Sequence, residues 1–343
     1  MTAKRFLDEV AEQPDALRRL IEFYQGDGKP LLAAWRELIG EAEEVLFAGM
    51  GTSSFAAGFT LAGYEAEGIV ARMAEAGELA FESPIPADIY VLVSQSGRSY
   101  ETCRMAEQLR EEGERFVAMV NDESSPLAEG AELVLPLKAG AENSISAKTY
   151  CNTLALLALM CSHFEGIDTG HVEQSLLGIA EHWAKTDAKE IEAAATRLAG
   201  VCAISFLSTG GGMTAARQAA ITFTEGARLP TAAMTIGAFR HGPIEMAGPE
   251  HGVVIFARDG DSLEATHRLA ERLDGYGAPV VLISDALDDS HAGPTIHVPR
   301  GLDWLYPLAC ADAHARLLAA VAHRRGLVAG EFRHAQKITD AEL

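Results

Sequence analysis

Ile89-Tyr90-Val91-Leu92-Val93 runs straight into Ser94-Gln95-Ser96-Gly97-Arg98-Ser99, and from Ser99 to Glu112 the pattern turns helical. Five consecutive apolar residues without alternation read as a strand covered on both faces, as in a parallel sheet. The Ser/Gly turn then opens a helix, so its hydroxyls and the first amides of that helix can converge on an anion, helped by the helix dipole. The competing interpretation is an ordinary strand-to-helix turn whose serines cap the helix.

The same unit recurs on both sides. Val45-Leu46-Phe47-Ala48 ends in Gly49-Met50-Gly51-Thr52-Ser53, Phe116 to Val120 ends in Asn121-Asp122, and Leu133-Val134-Leu135-Pro136 is another apolar run. Farther on, Ala203 to Leu207 leads into Ser208-Thr209-Gly210-Gly211-Gly212, Val253 to Ala257 into Arg258-Asp259-Gly260, Val280 to Ile283 into Ser284-Asp285, and Ile296 to Pro299 closes the set. Matching strand ends lie about 160 residues apart, the mark of an internally duplicated unit. Strands alternating with helices predict an α/β protein with parallel sheets flanked by helices. The expected divisions are N-terminal helices at 1–43, a first domain at 44–165, a second at 166–330 including a linking helix, and a tail at 331–343.

Composition narrows the function. The chain has 343 residues, enough for about two domains. Its 28 Lys and Arg against 49 Asp and Glu give a net charge of −21. Nucleic acid is therefore not an expected partner, since that requires a basic face. No apolar run reaches the ~18 residues of a membrane span, and the N-terminal residues carry no secretory core. The five cysteines, Cys103, Cys151, Cys161, Cys202 and Cys310, form no Cys-x-x-Cys pair, and read as reduced core thiols of a cytoplasmic protein. No metal site is expected at such spacing.

Other residues carry possible chemistry. Thr52 and Ser53 add donors beside the main turn. Gly49-x-Gly51 lacks the third glycine of a dinucleotide fingerprint, where Ser54 stands, and an oxidoreductase reading is weak. Ser146 sits in the polar loop from Ala139 to Tyr150, otherwise a simple linker. Glu225 lies near the end of the helix after the glycine turn, and Arg240-His241-Gly242-Pro243 follows. A carboxylate and an imidazole can divide proton transfer near neutral pH. Lys337, in the tail Glu331 to Thr339, is either a solvated lysine or a carbonyl-engaging amine.

Taken together, Gly51-Thr52-Ser53, Ser94 to Ser99, Val120-Asn121-Asp122 with Ser125-Pro126-Leu127, Leu135 to Gly140, Glu225 and Arg240 to Pro243 resemble the sugar isomerase (SIS) family. The resemblance is to the isomerase half of glucosamine-6-phosphate synthase and to SIS-type glucosamine-6-phosphate deaminases, from about residue 25 to Lys337. It implies two tandem SIS domains, each a flavodoxin-like parallel sheet flanked by helices. It implies a phosphosugar aldose–ketose isomerase or deaminase of amino-sugar metabolism, acting on a hexose or amino-sugar 6-phosphate without a glutaminase domain or any cofactor. By position, Ser94, Gln95, Ser96 and Ser99 resemble the phosphate cradle, and Thr52 and Ser146 resemble further sugar-phosphate contacts. Glu225 resembles the carboxylate that moves a proton between C1 and C2. His241 resembles the ring-opening histidine, shared across a homodimer, and Lys337 resembles the lysine that engages the sugar carbonyl. The chain departs from the family at Thr222, where a lysine is usual, and in Gly226 to Pro230. The alternative is a non-catalytic phosphosugar-binding sensor.

Overall fold

The computed structural model describes residues 6–81, 85–162, 164, 168–287, 291–334 and 336–339. The chain divides into two units. One comprises Pro14–Glu142, Lys148–Leu177 and His334–Leu343; the other comprises Met1–Gln13, Asn143–Ala147 and Gly178–Arg333.

The first unit holds a five-stranded parallel sheet: β1 (Glu44–Gly49), β2 (Val70–Glu75), β3 (Ile89–Ser94), β4 (Phe116–Val120) and β5 (Leu133–Pro136), in the order β2-β1-β3-β4-β5. Every residue of β3 and β4 is buried, as continuous apolar runs require. One face packs Leu46, Leu79, Tyr90, Leu92, Met105, Leu109 and Phe116. The helix Lys148–Cys161 is buried along its whole length. Trp35, from the helix Lys29–Gly40, donates its indole N–H to the Met160 carbonyl of that helix at 3.3 Å.

The second unit repeats the arrangement with β6 (Ala203–Ser208), β7 (Thr231–Thr235), β8 (His251–Ala257), β9 (Val280–Ser284) and β10 (Thr295–His297), ordered β10-β9-β8-β6-β7. Counted from its own first strand, this sheet has the same order as the first. Its core gathers Leu207, Phe239, Val253, Ile255, Leu269, Leu273, Val280 and Leu282. Phe206 meets Phe223 of the helix Met213–Ala227 edge to face at 4.9 Å.

The strands read from the sequence all form, but β2 and β7 were not legible as strands. Each lies at a sheet edge and pairs on one side only. Their burial patterns are broken rather than continuous, with Arg72 in β2 and small Ala and Thr residues in β7. The cysteines also need correction: all five are unpaired, but Cys103 is half-buried and Cys202, ahead of β6, is exposed. Only Cys151, Cys161 and Cys310 are core thiols.

Candidate active site

In open parallel sheets, ligands bind beyond the carboxyl ends of the strands, where the strand order reverses. In the first sheet that point lies between β1 and β3. The turn Gly49 to Ser53 leaves β1 there, and the turn Ser94 to Ser99 leaves β3. They pass close together: a Cβ added to Gly49 would lie 2.6 Å from the Val93 carbonyl and from Ser53 Cβ. Gly97 has φ +61, a conformation that suits glycine, and a Cβ there would run into Ser125.

Inside the second turn, Ser94 Oγ accepts the Gly97 N–H at 3.1 Å and lies 3.2 Å from Ser99 Oγ. Ser96 Oγ accepts the Arg98 N–H at 3.2 Å. Ser99 occupies the N-cap position of the helix Tyr100–Glu112 yet makes no side-chain cap bond. Its hydroxyl is turned toward Ser94 and not onto the helix amides, so simple capping does not account for it. Gln95 is tied through its carbonyl, which accepts the Asn121 N–H at 3.0 Å. Thr52 begins the short helix Thr52–Phe55, just past Gly51 at φ +52. Arg98 turns away to Asp122 at 3.1 Å. The Asp122 carboxyl lies below the usual carboxylate range because Ser124 and Arg98 hydrogen-bond to it. Burial pushes the neighbouring Cys103 thiol up.

Lys337 belongs to the same unit. Its amine lies 2.9 Å from Glu142 Oε2. Two residues on, the Thr339 carbonyl accepts the Tyr100 N–H at 3.0 Å. The first amide of the helix behind the hydroxyl turn is thus bonded to the C-terminal segment.

The other unit holds Glu225, His241 and Ser146. Glu225 is exposed in the last turn of the helix Met213–Ala227. Ser146 is tied to that helix: its carbonyl accepts the Gln218 side-chain N–H at 3.3 Å, and Gly226 packs on Ile145. The segment is braced from behind by Glu9, buried, which accepts the Asn143 and Ser144 N–H groups at 2.7 and 3.2 Å. His241 is exposed at the C-cap of the helix Ile236–Arg240, ahead of the turn Pro243–Met246. Thr222 is 2% exposed and turns its hydroxyl back on the Gln218 and Ala219 carbonyls at 2.8 and 3.2 Å. It spends its hydrogen bond within its own helix.

Glu142 and the Tyr100 amide are additions that sequence reasoning did not single out, and Asn121, part of the Val120-Asn121-Asp122 stretch, gains a role there only in the structure. Glu142 lay in view within Ala139-Gly140-Ala141-Glu142, but a carboxylate in a polar loop carries no signal of burial. Among the described residues, no group of three or more His, Cys, Asp or Glu side chains gathers to hold a metal ion. No helix among them is long and apolar enough to cross a membrane.

Two five-stranded parallel sheets of the same strand order, flanked by helices, define an α/β architecture with a Gly- and Ser-rich turn leaving the first strand of each. Residues 38–162 match the model of the SIS domain family, so the resemblance to the sugar isomerases read from the sequence holds. Among its relatives is a glutamine–fructose-6-phosphate aminotransferase (isomerizing) of Zymomonas mobilis, 23% identical over 339 residues, covering 94% of this chain and 56% of the relative. The chain spans about half the length of the curated relatives it matches. Among solved structures, the C-terminal domain of glucosamine-fructose-6-phosphate aminotransferase from Francisella tularensis superposes with a TM-score of 0.84. It is 18% identical, and 96% of this chain and 99% of that one are covered. Glucosamine-6-phosphate deaminase from Thermotoga maritima superposes with a TM-score of 0.80 at 20% identity, covering 98% of this chain and 99% of that one. These likenesses bear on the fold.

Proposed function

We propose that this chain is a phosphosugar aldose–ketose isomerase or an amino-sugar-phosphate deaminase, built from two tandem SIS domains at 44–165 and 166–330. Its substrate is a hexose or amino-sugar 6-phosphate. The observation that carries this reading is the Ser94 to Ser99 turn at the switch point of the first sheet, whose N-cap hydroxyl is turned to Ser94 and not onto its helix. Such a turn at a helix start suits a phosphate. The relatives' printed names, an aminotransferase of fructose 6-phosphate and a deaminase of glucosamine 6-phosphate, favour the same substrate class.

In this reading Ser94, Gln95, Ser96 and Ser99 hold the phosphate, and Thr52 and Ser146 add sugar-phosphate contacts. His241, from the partner in a cytoplasmic homodimer, moves the anomeric hydroxyl proton to the ring oxygen and opens the ring. Glu225 takes a proton from the carbon next to the carbonyl and returns it to the neighbouring carbon. The charge that develops on the enediolate oxygens needs a nearby cation, and Lys337 is assigned that part. With a 2-amino sugar the same transfer gives an imine. Water then adds to it and ammonia leaves.

The test is incubation with fructose 6-phosphate, fructose 6-phosphate with ammonia, and glucosamine 6-phosphate in deuterated water. Deuterium entering at C1 or C2 is expected. Glu225→Gln should slow it by about 10²–10⁴-fold, the usual worth of general acid–base catalysis, while binding persists. No exchange into any of these sugars would remove the enzyme reading. The buried Thr222 favours a second reading, a phosphosugar sensor: it predicts tight binding with no exchange at carbon.

A further inference from the structure

The reaction proposed above leaves Glu142 unused, although burying a carboxylate is costly unless it is paired and hydrogen-bonded. The Glu142 side chain has no exposed surface, while that of Lys337 is 22% exposed. Glu142 Oε1 accepts the Thr149 N–H at 3.1 Å, and Oε2 accepts the Thr149 hydroxyl at 2.6 Å and the Lys337 amine at 2.9 Å. Thr149 is in the first turn of the buried helix Lys148–Cys161, so the carboxylate also sits at the positive end of that helix.

The loop that carries Glu142 is pinned residue by residue. Asn121 accepts the Ala139 N–H and donates to the Gly140 carbonyl, both at 2.8 Å. Arg19 donates to the Ala139 carbonyl at 3.1 Å, and Lys148 donates to the Ala141 carbonyl at 2.7 Å. The carboxylate is therefore fixed by contacts that do not involve the tail. The tail meets it at Lys337 and is held again where Thr339 accepts the Tyr100 N–H. Two residues span at most ~7 Å. Lys337 is thereby held near the start of the helix that follows the Ser94 to Ser99 turn.

We propose that Glu142 is a positioning residue for Lys337: a buried, pre-set carboxylate that anchors the C-terminal segment and places its amine beside the hydroxyl turn of the first sheet. The anchor stands on the geometry, and its catalytic consequence rests on the assignment of Lys337 in the proposed reaction. An ammonium has three N–H bonds to give, so one directed at Glu142 orients the others.

The experiment compares Glu142→Gln, Glu142→Asp, Lys337→Met and the Glu142→Gln/Lys337→Met double variant of the full chain. Hydrogen–deuterium exchange of peptides spanning 330–343 and 148–161 is read without substrate. Tail exchange is expected to rise at least tenfold in Glu142→Gln and by a similar factor in Lys337→Met, with no further rise in the double variant. The helix 148–161 should stay protected in Glu142→Gln, because the amide oxygen still accepts from Thr149. On whichever phosphosugar turns over, Glu142→Gln should lower kcat about 10–100-fold with KM within about threefold. Glu142→Asp should restore part of it, and Glu142→Gln should cost nothing more when Lys337 is already Met. Unchanged tail exchange in Lys337→Met overturns the anchor, even if the Glu142 variants fail to fold. Multiplicative kinetic losses in the double variant overturn the positioning role. Absence of turnover with every sugar removes the Lys337 reading alone, and the exchange result still decides the anchor.

Discussion

Replacing Gly97 with alanine should damage the hydroxyl turn through two separable terms. Gly97 has φ +61, and an L-residue in the left-handed region pays about 1–2 kcal/mol. The new Cβ would lie 1.9 Å from Ser125 Oγ, 2.4 Å from Ser125 Cβ and 3.3 Å from Val120 Cγ1. Ser125 is 1% exposed and so has little room to withdraw. Overpacking a tight interior costs about 1–3 kcal/mol. The sum is about 2–5 kcal/mol, measurable as a fall in the urea midpoint with unchanged slope. Ser125→Gly removes both close atoms but leaves φ alone. Gly97→Ala/Ser125→Gly should therefore recover about 1–3 kcal/mol and stop short of full recovery. On the proposed function, fructose 6-phosphate binding, followed by calorimetry, should weaken in Gly97→Ala and return in part with the double variant. A Gly97→Ala protein within ~0.5 kcal/mol of the parent would refute the strain argument, and absence of rescue by Ser125→Gly would refute the contact argument.

Asn152 is fully buried and donates to the Ala16 and Leu137 carbonyls at 2.9 and 2.7 Å. Asn152→Ala strands both acceptors and should cost about 2–4 kcal/mol in urea melts; a cost under ~1 kcal/mol would mean water replaces the amide. Glu9→Ala should loosen 143–147, seen as faster hydrogen exchange there, and destabilise by about 1–3 kcal/mol per stranded amide. His314 is buried, and desolvation pushes its imidazole down to about 3. Its stability contribution is therefore complete above an unfolded value near 6.5 and is lost as pH falls from there through about 3. At 1.36 kcal/mol per pH unit the loss is at most ~5 kcal/mol. His314→Leu should flatten that limb of the stability–pH curve, and an unchanged acid limb would show that other groups govern it.

The sequence by itself determined the local architecture. Continuous apolar runs such as Ile89 to Val93 and Phe116 to Val120 admit no surface face, and each is followed by a turn rich in Gly, Ser or Asp, so strand and turn were legible together. The hydroxyl turn was legible for the same reason, because its residues are consecutive and lie at a strand end. The order of elements also carried the repetition of one sheet topology in the other. Edge strands β2 and β7 escaped, because a strand paired on one side need not be uniformly apolar.

Tertiary structure alone decided the surroundings of Lys337. Read along the chain, it is a lysine near a terminus, and Glu142 is an acid in a polar loop. Their contact spans 195 residues. The burial that gives it meaning comes from the helix Lys148–Cys161 packing as a unit. Tertiary structure also decided that Ser99 turns its hydroxyl toward Ser94, and that Thr222 turns inward on its own helix. Hydrophobic patterning is written in neighbouring residues, whereas the partner of a polar group is chosen by whatever the fold brings within about 3 Å.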